Sequence, residues 1–335
     1  MNTVPTKFSV LDLAAVADGS TPADTFRNSL ELARHVEQLG YTRYWVSEHH
    51  NMAGVASSSP PVLIGYLAGG TSTLRVGSGG IMLPNHSPLI VAEQMGTLAT
   101  LYPDRIDLGL GRAPGTDPVA SRAIRAGLGS DPHNFPRDVQ QLQAYFSADN
   151  RNSSVRAIPG EGLDVPIYIL GSSTDSAYVA GMLGLPYAFA THFAPTQFEA
   201  ALERYRENFR PSDFLSEPYV IACVNVITAD TDAEAQRLGT TLKQMFLGIV
   251  SGERKLMQPP VDNMDALWAP HQRDYVEQML AQSFIMGRDR LEEEVPAFID
   301  RYGINELMAV SHVYDHGARL HSYSLLSEVM RQVAA

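Results

Sequence analysis

The stretch FSVLDLAAVADGSTPADTFRNSLELARHVEQLGYTRYWV, residues 8–46, holds one complete strand, helix, strand unit. Its apolar, β-branched ends are strand-like. Between them Thr21 can cap a helix whose first position suits Pro22. Phe26, Leu30, Ala33 and Val36 then fall on one helical face before Gly40 stops it. Two strands joined through such a helix run parallel. The alternation repeats along the chain, with strands expected to begin near Phe8, Arg43, Leu74, Arg105, Pro166, Pro186, Pro218 and Glu306, each followed by a helical segment. Eight such pairs predict a single (β/α)8 TIM barrel domain over residues 1–335. Residues 238–288, after the seventh strand, break the spacing: SGERKLMQPPVDNMDALWAP lies there between two helical stretches and reads as an insertion able to act as a lid.

Composition bounds the function. A chain of 335 residues, 44% hydrophobic and 19% charged, can bury a large core. No signal-peptide order opens it and no apolar run reaches bilayer-spanning length, so a cytoplasmic location is expected. The single cysteine, Cys223, sits in the apolar run VIACVNVI, which points to a buried strand thiol rather than a nucleophile. A formal charge of −12 without a basic cluster argues against nucleic acid or anionic membrane as partners.

In this fold the chemistry lies where strands run into their C-terminal loops. Strand one ends in LDLAAVADG, an apolar floor that includes Ala14 and lacks the His-x-His of metal-dependent hydrolase barrels. Strand two ends in YWVSEHHN, placing Glu48, His49 and His50 at the rim. Alternation lets only one imidazole point inward, either for proton transfer and substrate contact or as a hydrogen-bonded terminus. In strand three Gly79 and Gly80 mark a bulge, which either makes room for something flat or simply turns a barrel corner. Strand four ends at Arg112, able to fork onto a phosphate or to pair with Glu48, Asp107 or Asp117. After strand five, Gly171, Ser172, Ser173, Thr174 and Ser176 surround a helix N-terminus, an anion cradle. The loops after strands seven and eight carry Asp230, Asp232 and Asp315, which repel a dianion. The phosphate end of a cofactor is therefore expected between Arg112 and Ser173. His192, in FATHF after strand six, either lines the same cavity or is an ordinary loop histidine.

Together FSVLDLA, YWVSEHHN, GSGGIMLPNHSP, RIDLGLGRAPG and GSSTDSA resemble, in order and spacing over nearly the whole chain, the bacterial luciferase-like flavin monooxygenases. The resemblance implies FMN at the strand ends, its phosphate held by Arg112, Ser173 and Ser176. It further implies a non-prolyl cis peptide at Gly79 and Gly80 beside the flavin ring, and flavin chemistry aided by His49 and His50. Reduced FMN, delivered by a separate NAD(P)H-dependent reductase, would react with O2 through a C4a-peroxyflavin to oxygenate a small organic substrate. Members commonly pair as homodimers through helices near strands two and three, where VLIGYLAGG offers an apolar face. Gly111 stands where luciferase has its reactive cysteine and Ser172 where it has a phosphate-side carboxylate, so light emission is not implied.

Three alternatives follow from the same residues. One is hydride transfer with deazaflavin F420, whose longer tail needs more basic contacts. Another is a metal-dependent hydrolase built on Glu48, His49, His312, His316 and His321. The third is a flavin-binding protein without catalysis.

Overall fold

The computed structural model describes residues 6–113, 115–125 and 134–333. Its strands are β1 (Lys7–Asp12), β2 (Arg43–Val46), β3 (Arg75–Met82), β4 (Ile106–Gly111), β5 (Ile167–Gly171), β6 (Tyr187–Phe189), β7 (Val220–Ala229), β8 (Phe284–Gly287) and β9 (Glu306–Val310). The helices are α1 (Pro22–Gln38), α2 (Pro60–Gly69), α3 (Pro88–Leu101), α4 (Pro118–Ile124), α5 (Phe135–Phe146), α6 (Thr174–Leu183), α7 (Phe198–Asn208), α8 (Asp232–Ser251), α9 (Pro270–Met279), α10 (Arg288–Tyr302) and α11 (His316–Val333). Strands β1 to β7 pair in succession, β7 pairs with β9, and β9 returns to β1. Every one of these pairings is parallel; Lys7 opposite Glu306 and Tyr187 opposite Val220 close the circle. The eight-stranded TIM barrel expected from the sequence is therefore present.

The first helix forms as its sequence dictates. Thr21 accepts from the Asp24 amide, and the Asp24 side chain accepts in return from the Thr21 amide, closing a capping box. Its buried stripe runs through Thr25, Ser29, Leu32, Ala33 and Val36, with Phe26 and Leu30 only half-buried, so the inward face is rotated slightly from the apolar positions alone.

The insertion departs from the sequence reading in two ways. It opens with α8 at Asp232, so Leu238 lies inside that helix rather than at a boundary. It also contains a strand: β8 pairs in parallel with the outer half of β7, Val226 opposite Phe284 and Ala229 opposite Gly287. Four residues, FIMG, carry too little periodicity to be seen as a strand. Ile227, Leu238, Leu242, Phe246, Val276 and Ile285 give this annex its own core.

Inside the barrel, toward the strand N-termini, lies a polar layer. Buried Arg43 donates to Glu306 at 2.8 Å, to Asp107 at 2.7 Å and to the Tyr168 hydroxyl at 2.7 Å. Arg75 holds the other Asp107 oxygen at 2.6 Å, and Tyr219 donates to Glu306 at 2.8 Å. Above it Leu11, Trp45, Ile221, Cys223, Met308 and Val310 form an apolar layer. Burial there pushes the Cys223 thiol far above its ordinary pKa, so it is an inert core group. Among the described residues no helix is long and apolar enough to cross a membrane.

Candidate active site

Past the end of β2 the chain runs through Ser47, Glu48, His49 and His50. Glu48 is fully buried. One of its oxygens accepts from His50 Nε2 at 2.8 Å and from His86 Nε2 at 2.9 Å, while the other accepts from the Met82 amide at 2.9 Å. Burial alone would raise its pKa, but these donors, His86 foremost, bring it below the usual carboxylate range. An ionised carboxylate only accepts, so both Nε2 atoms carry protons here. Glu48, read from sequence as a pocket residue, has both oxygens engaged and acts as a clamp on the two imidazoles.

His86 was not picked out by the sequence reading. It stands in PNHSP, just after the paired glycines, and that position at a strand's C-terminal end was the available signal.

His49 is not one of the imidazoles held by Glu48. Its Nδ1 is buried without a partner, and burial lowers its pKa. His192, following β6, donates its backbone N–H to the Cys223 carbonyl at 2.7 Å and also leaves Nδ1 unpartnered. Burial pushes its imidazole down to about 4, and His49 is close enough to add to the effect. Beyond β9, buried His312 is pushed down to about 3 by burial, with Arg319 and His192 contributing. All three imidazoles are thus uncharged at neutral pH. Ser47 Oγ, Thr191 Oγ1, Asn225 Oδ1 and Ser311 Oγ are also buried and unpartnered. Such atoms are rare in native proteins. Ser47, Thr191 and Ser311 follow β2, β6 and β9, and Asn225 lies on β7 opposite Val310, at the rim where barrels of this kind carry their ligand sites. Ala14, fully buried with φ 51°, closes the β1 side, its amide held by Asp12 at 2.8 Å.

The buried histidines carry a prediction about acid stability. Unfolded, a histidine binds its proton near pH 6.5; folded, His312 resists protonation down to about 3. Between these two values the unfolded state holds more protons, so stability falls as the pH is lowered, by up to about 1.4 kcal/mol per unit for each such group. Urea unfolding between pH 6.5 and 4 is expected to show this slope, and His312→Asn to flatten it; an unchanged slope contradicts the neutral buried imidazole.

On the opposite side of the mouth the peptide between Gly79 and Gly80 is cis, as the resemblance implied, and the β3–β4 register shifts between Gly79 and Ile81. Close packing leaves no room for a side chain at either glycine. A Cβ on Gly79 would lie 2.7 Å from Leu11, and one on Gly80 2.8 Å from the Gly109 carbonyl. A Cβ at Gly171 would lie 1.8 Å from Ser176 Oγ. That hydroxyl is committed to the Ser173 carbonyl at 2.8 Å and to Tyr187 at 3.0 Å, so Ser176 supports the turn from within. Ser173 is the N-cap of α6 with no capping bond from its side chain, and Ser172 and Ser173 are half-buried. Arg112 is not paired with Glu48, Asp107 or Asp117; its contact is Asp175 at 3.4 Å, in the first turn of α6. Arg112, Thr174 and Asp175 share an open groove of about 560 Å3. Arg112 and Thr174 thus lie together beside the N-terminus of α6, which has no side-chain cap, a disposition that suits an anion.

The histidines of the hydrolase alternative do not converge. His312 is inside the barrel, His316 lies 3.5 Å from Glu31, and His321 lies 3.1 Å from Asp230. Among the described residues no three His, Cys, Asp or Glu side chains are grouped to hold a metal ion.

A barrel with this rim is matched from residue 6 to residue 323 by the family described as luciferase-like monooxygenase. The chain belongs to that family. The luciferase-like monooxygenase of Escherichia coli (strain K12) is 47% identical over 326 residues, covering 97% of each chain. The N-acetyl-S-alkylcysteine monooxygenase of Bacillus subtilis (strain 168) is 31% identical, covering 97% of this chain and 98% of its own. The crystal structure of apo-MsnO8 superposes with a TM-score of 0.87 at 35% identity, covering 97% and 98%. Two more distant structures share the fold. They are the oxygenating constituent of 3,6-diketocamphane monooxygenase from Pseudomonas putida in complex with FMN (TM-score 0.75, 19% identity, 98% and 99% covered) and an F420-dependent secondary alcohol dehydrogenase (0.64, 16%, 99% and 100%). In this luciferase-like monooxygenase the insertion reaches back to the rim: Met257 exchanges backbone hydrogen bonds with Val16 and Asp18 at 2.9 and 2.8 Å, and Arg254 touches Met52.

Proposed function

We propose that the protein is an FMN-dependent monooxygenase that acts on paired donors, using reduced FMN and O2 to oxygenate a small organic substrate. The observation that carries this reading is the pairing of two unlike ends of one mouth, an anion cradle at Arg112 and α6 and a set of unpartnered buried polar atoms at His49, His192 and Asn225. When bound, the flavin supplies the electrons that activate O2. The chain's own work is to hold the phosphate through Arg112 and Ser173 and to seat the ring near Gly79, Gly80 and the β2 rim. His50 and His86 are held by Glu48 in defined tautomers, able to give or take a proton at Nδ1. The apolar layer below and the insertion segment around Met257 keep water out.

The groove outside Arg112 favours FMN over F420. Asp175, Glu203 and Glu207 line it together with Arg112 and Arg204, so an anionic tail running past the phosphate meets more carboxylates than guanidiniums. In addition, Val62 and Tyr66 on α2 and Ile90 and Leu101 on α3 are exposed apolar side chains, the face through which a second copy would pair. A flavin reductase is the transient donor, and the cytoplasm, where reduced nicotinamide is available, is the matching location.

The test is turnover of a substrate panel with reduced FMN under 18O2. One labelled oxygen atom in the product and one in water is the expected result; reduction or hydride transfer without label sinks the proposal.

A further inference from the structure

Asn225 interrupts the apolar run VIACVNVI of β7. Tyr219, Ile221 and Cys223 line the barrel interior, and strand alternation carries Asn225 to the same side, one step nearer the mouth. Asn225 is 1% exposed. Its amide nitrogen donates to the His192 carbonyl at 2.9 Å and to Ser283 Oγ at 3.0 Å. Both amide protons are thereby used, which fixes the orientation of the group. The oxygen, Oδ1, remains buried and without a partner. Ser283 immediately precedes β8, so the insertion is what holds this orientation.

Asn225 stands opposite Val310 of β9, and its amide reaches the His192 backbone. Met308 and Val310 of β9 line the interior, and the same alternation brings His312 to the mouth. His312 and His192 are neutral, as described above. The guanidinium beside His312, Arg319, is engaged by Asp12 at 2.9 Å and by the Ser311 carbonyl at 3.0 Å. A carboxylate entering here would find neutral walls and an acceptor facing it. An N–H or O–H group would find the partner that Asn225 lacks.

We propose that Asn225 is a specificity-determining residue: its Oδ1, flanked by His192 and His312, takes a hydrogen-bond donor from an uncharged substrate, such as a secondary amide or an alcohol, and discriminates against an ester or carboxylate of the same shape. The proposal rests on the oxygenase reading, in which the flavin occupies the β3 to β5 side of the mouth and leaves the β6, β7 and β9 side to substrate.

The test is anaerobic calorimetric titration of the protein loaded with reduced FMN, using N-methylhexanamide, methyl hexanoate and hexanoate, the first two differing only by N–H against O. The amide is expected to bind at least tenfold more tightly than either of the others. Asn225→Leu is expected to bring the amide to the ester's affinity while FMN affinity changes less than twofold. No preference for the amide in the wild-type protein, or a preference that survives Asn225→Leu, overturns the proposal. The wild-type comparison decides the matter even if the leucine variant does not fold. Failure of the wild-type protein to load FMN is seen before any amide is added and counts against the oxygenase reading instead.

Discussion

Replacing Arg112 with alanine is expected to weaken FMN binding on the order of 100-fold and to leave the fold almost untouched. The guanidinium is exposed, and its one ion pair among the described residues, to Asp175, is long at 3.4 Å. Surface groups of this kind change stability by roughly 0.5 kcal/mol or less when removed. A charge-assisted fork onto a phosphate is a different matter, because losing one partner of such a pair costs about 2–5 kcal/mol of binding. Urea unfolding and FMN titration of the same variant separate the two effects. Equal affinity in the variant and the wild type would remove Arg112 from the cofactor site; a matching loss of stability would make it a structural residue.

The largest effect on stability is expected at the other end of the barrel. Arg43 is 3% exposed and stands between Glu306 and Asp107, each fully buried. The desolvated cation is held by the two carboxylates, with further support from Tyr168. Arg43→Met keeps much of the volume but leaves Glu306 without a guanidinium and Asp107 with Arg75 and the Trp45 indole N–H. Breaking a buried pair in this way costs about 3–5 kcal/mol. Arg75→Met, at a half-buried position where Arg43 still serves Asp107, is expected to cost clearly less. Equal losses in the two variants, or a loss below about 1 kcal/mol for Arg43→Met, would show that the layer does not hold the barrel floor.

The barrel was legible in the sequence because its signal is local. Helix caps such as Thr21 and Pro22 and short apolar runs such as that after Phe8 report on their own neighbourhoods, and eight repeats of one pattern leave few architectures. Strand β8 escaped because its four residues pair only with the overhang of β7. At the site, residue types at strand ends pointed to Arg112 and Ser173. What they could not convey is how partners distant in sequence divide the work. Glu48 is occupied by His86, thirty-eight positions away, and by the Met82 amide, which converts an apparent pocket carboxylate into a clamp. Ser176 turns inward to Tyr187, and the paired glycines answer to Leu11 and Gly109, contacts that no spacing rule anticipates. Asn225 was visible as the one polar residue within VIACVNVI, yet its meaning depends on Ser283 from the insertion.

The most direct test of the cofactor assignment is an anaerobic titration of the purified protein with reduced FMN, followed by calorimetry and repeated with reduced F420. Saturable binding of one reduced FMN per chain, tighter than that of F420 and lost in step with Arg112→Ala, is the predicted result. Binding of reduced F420 with none of reduced FMN would contradict it.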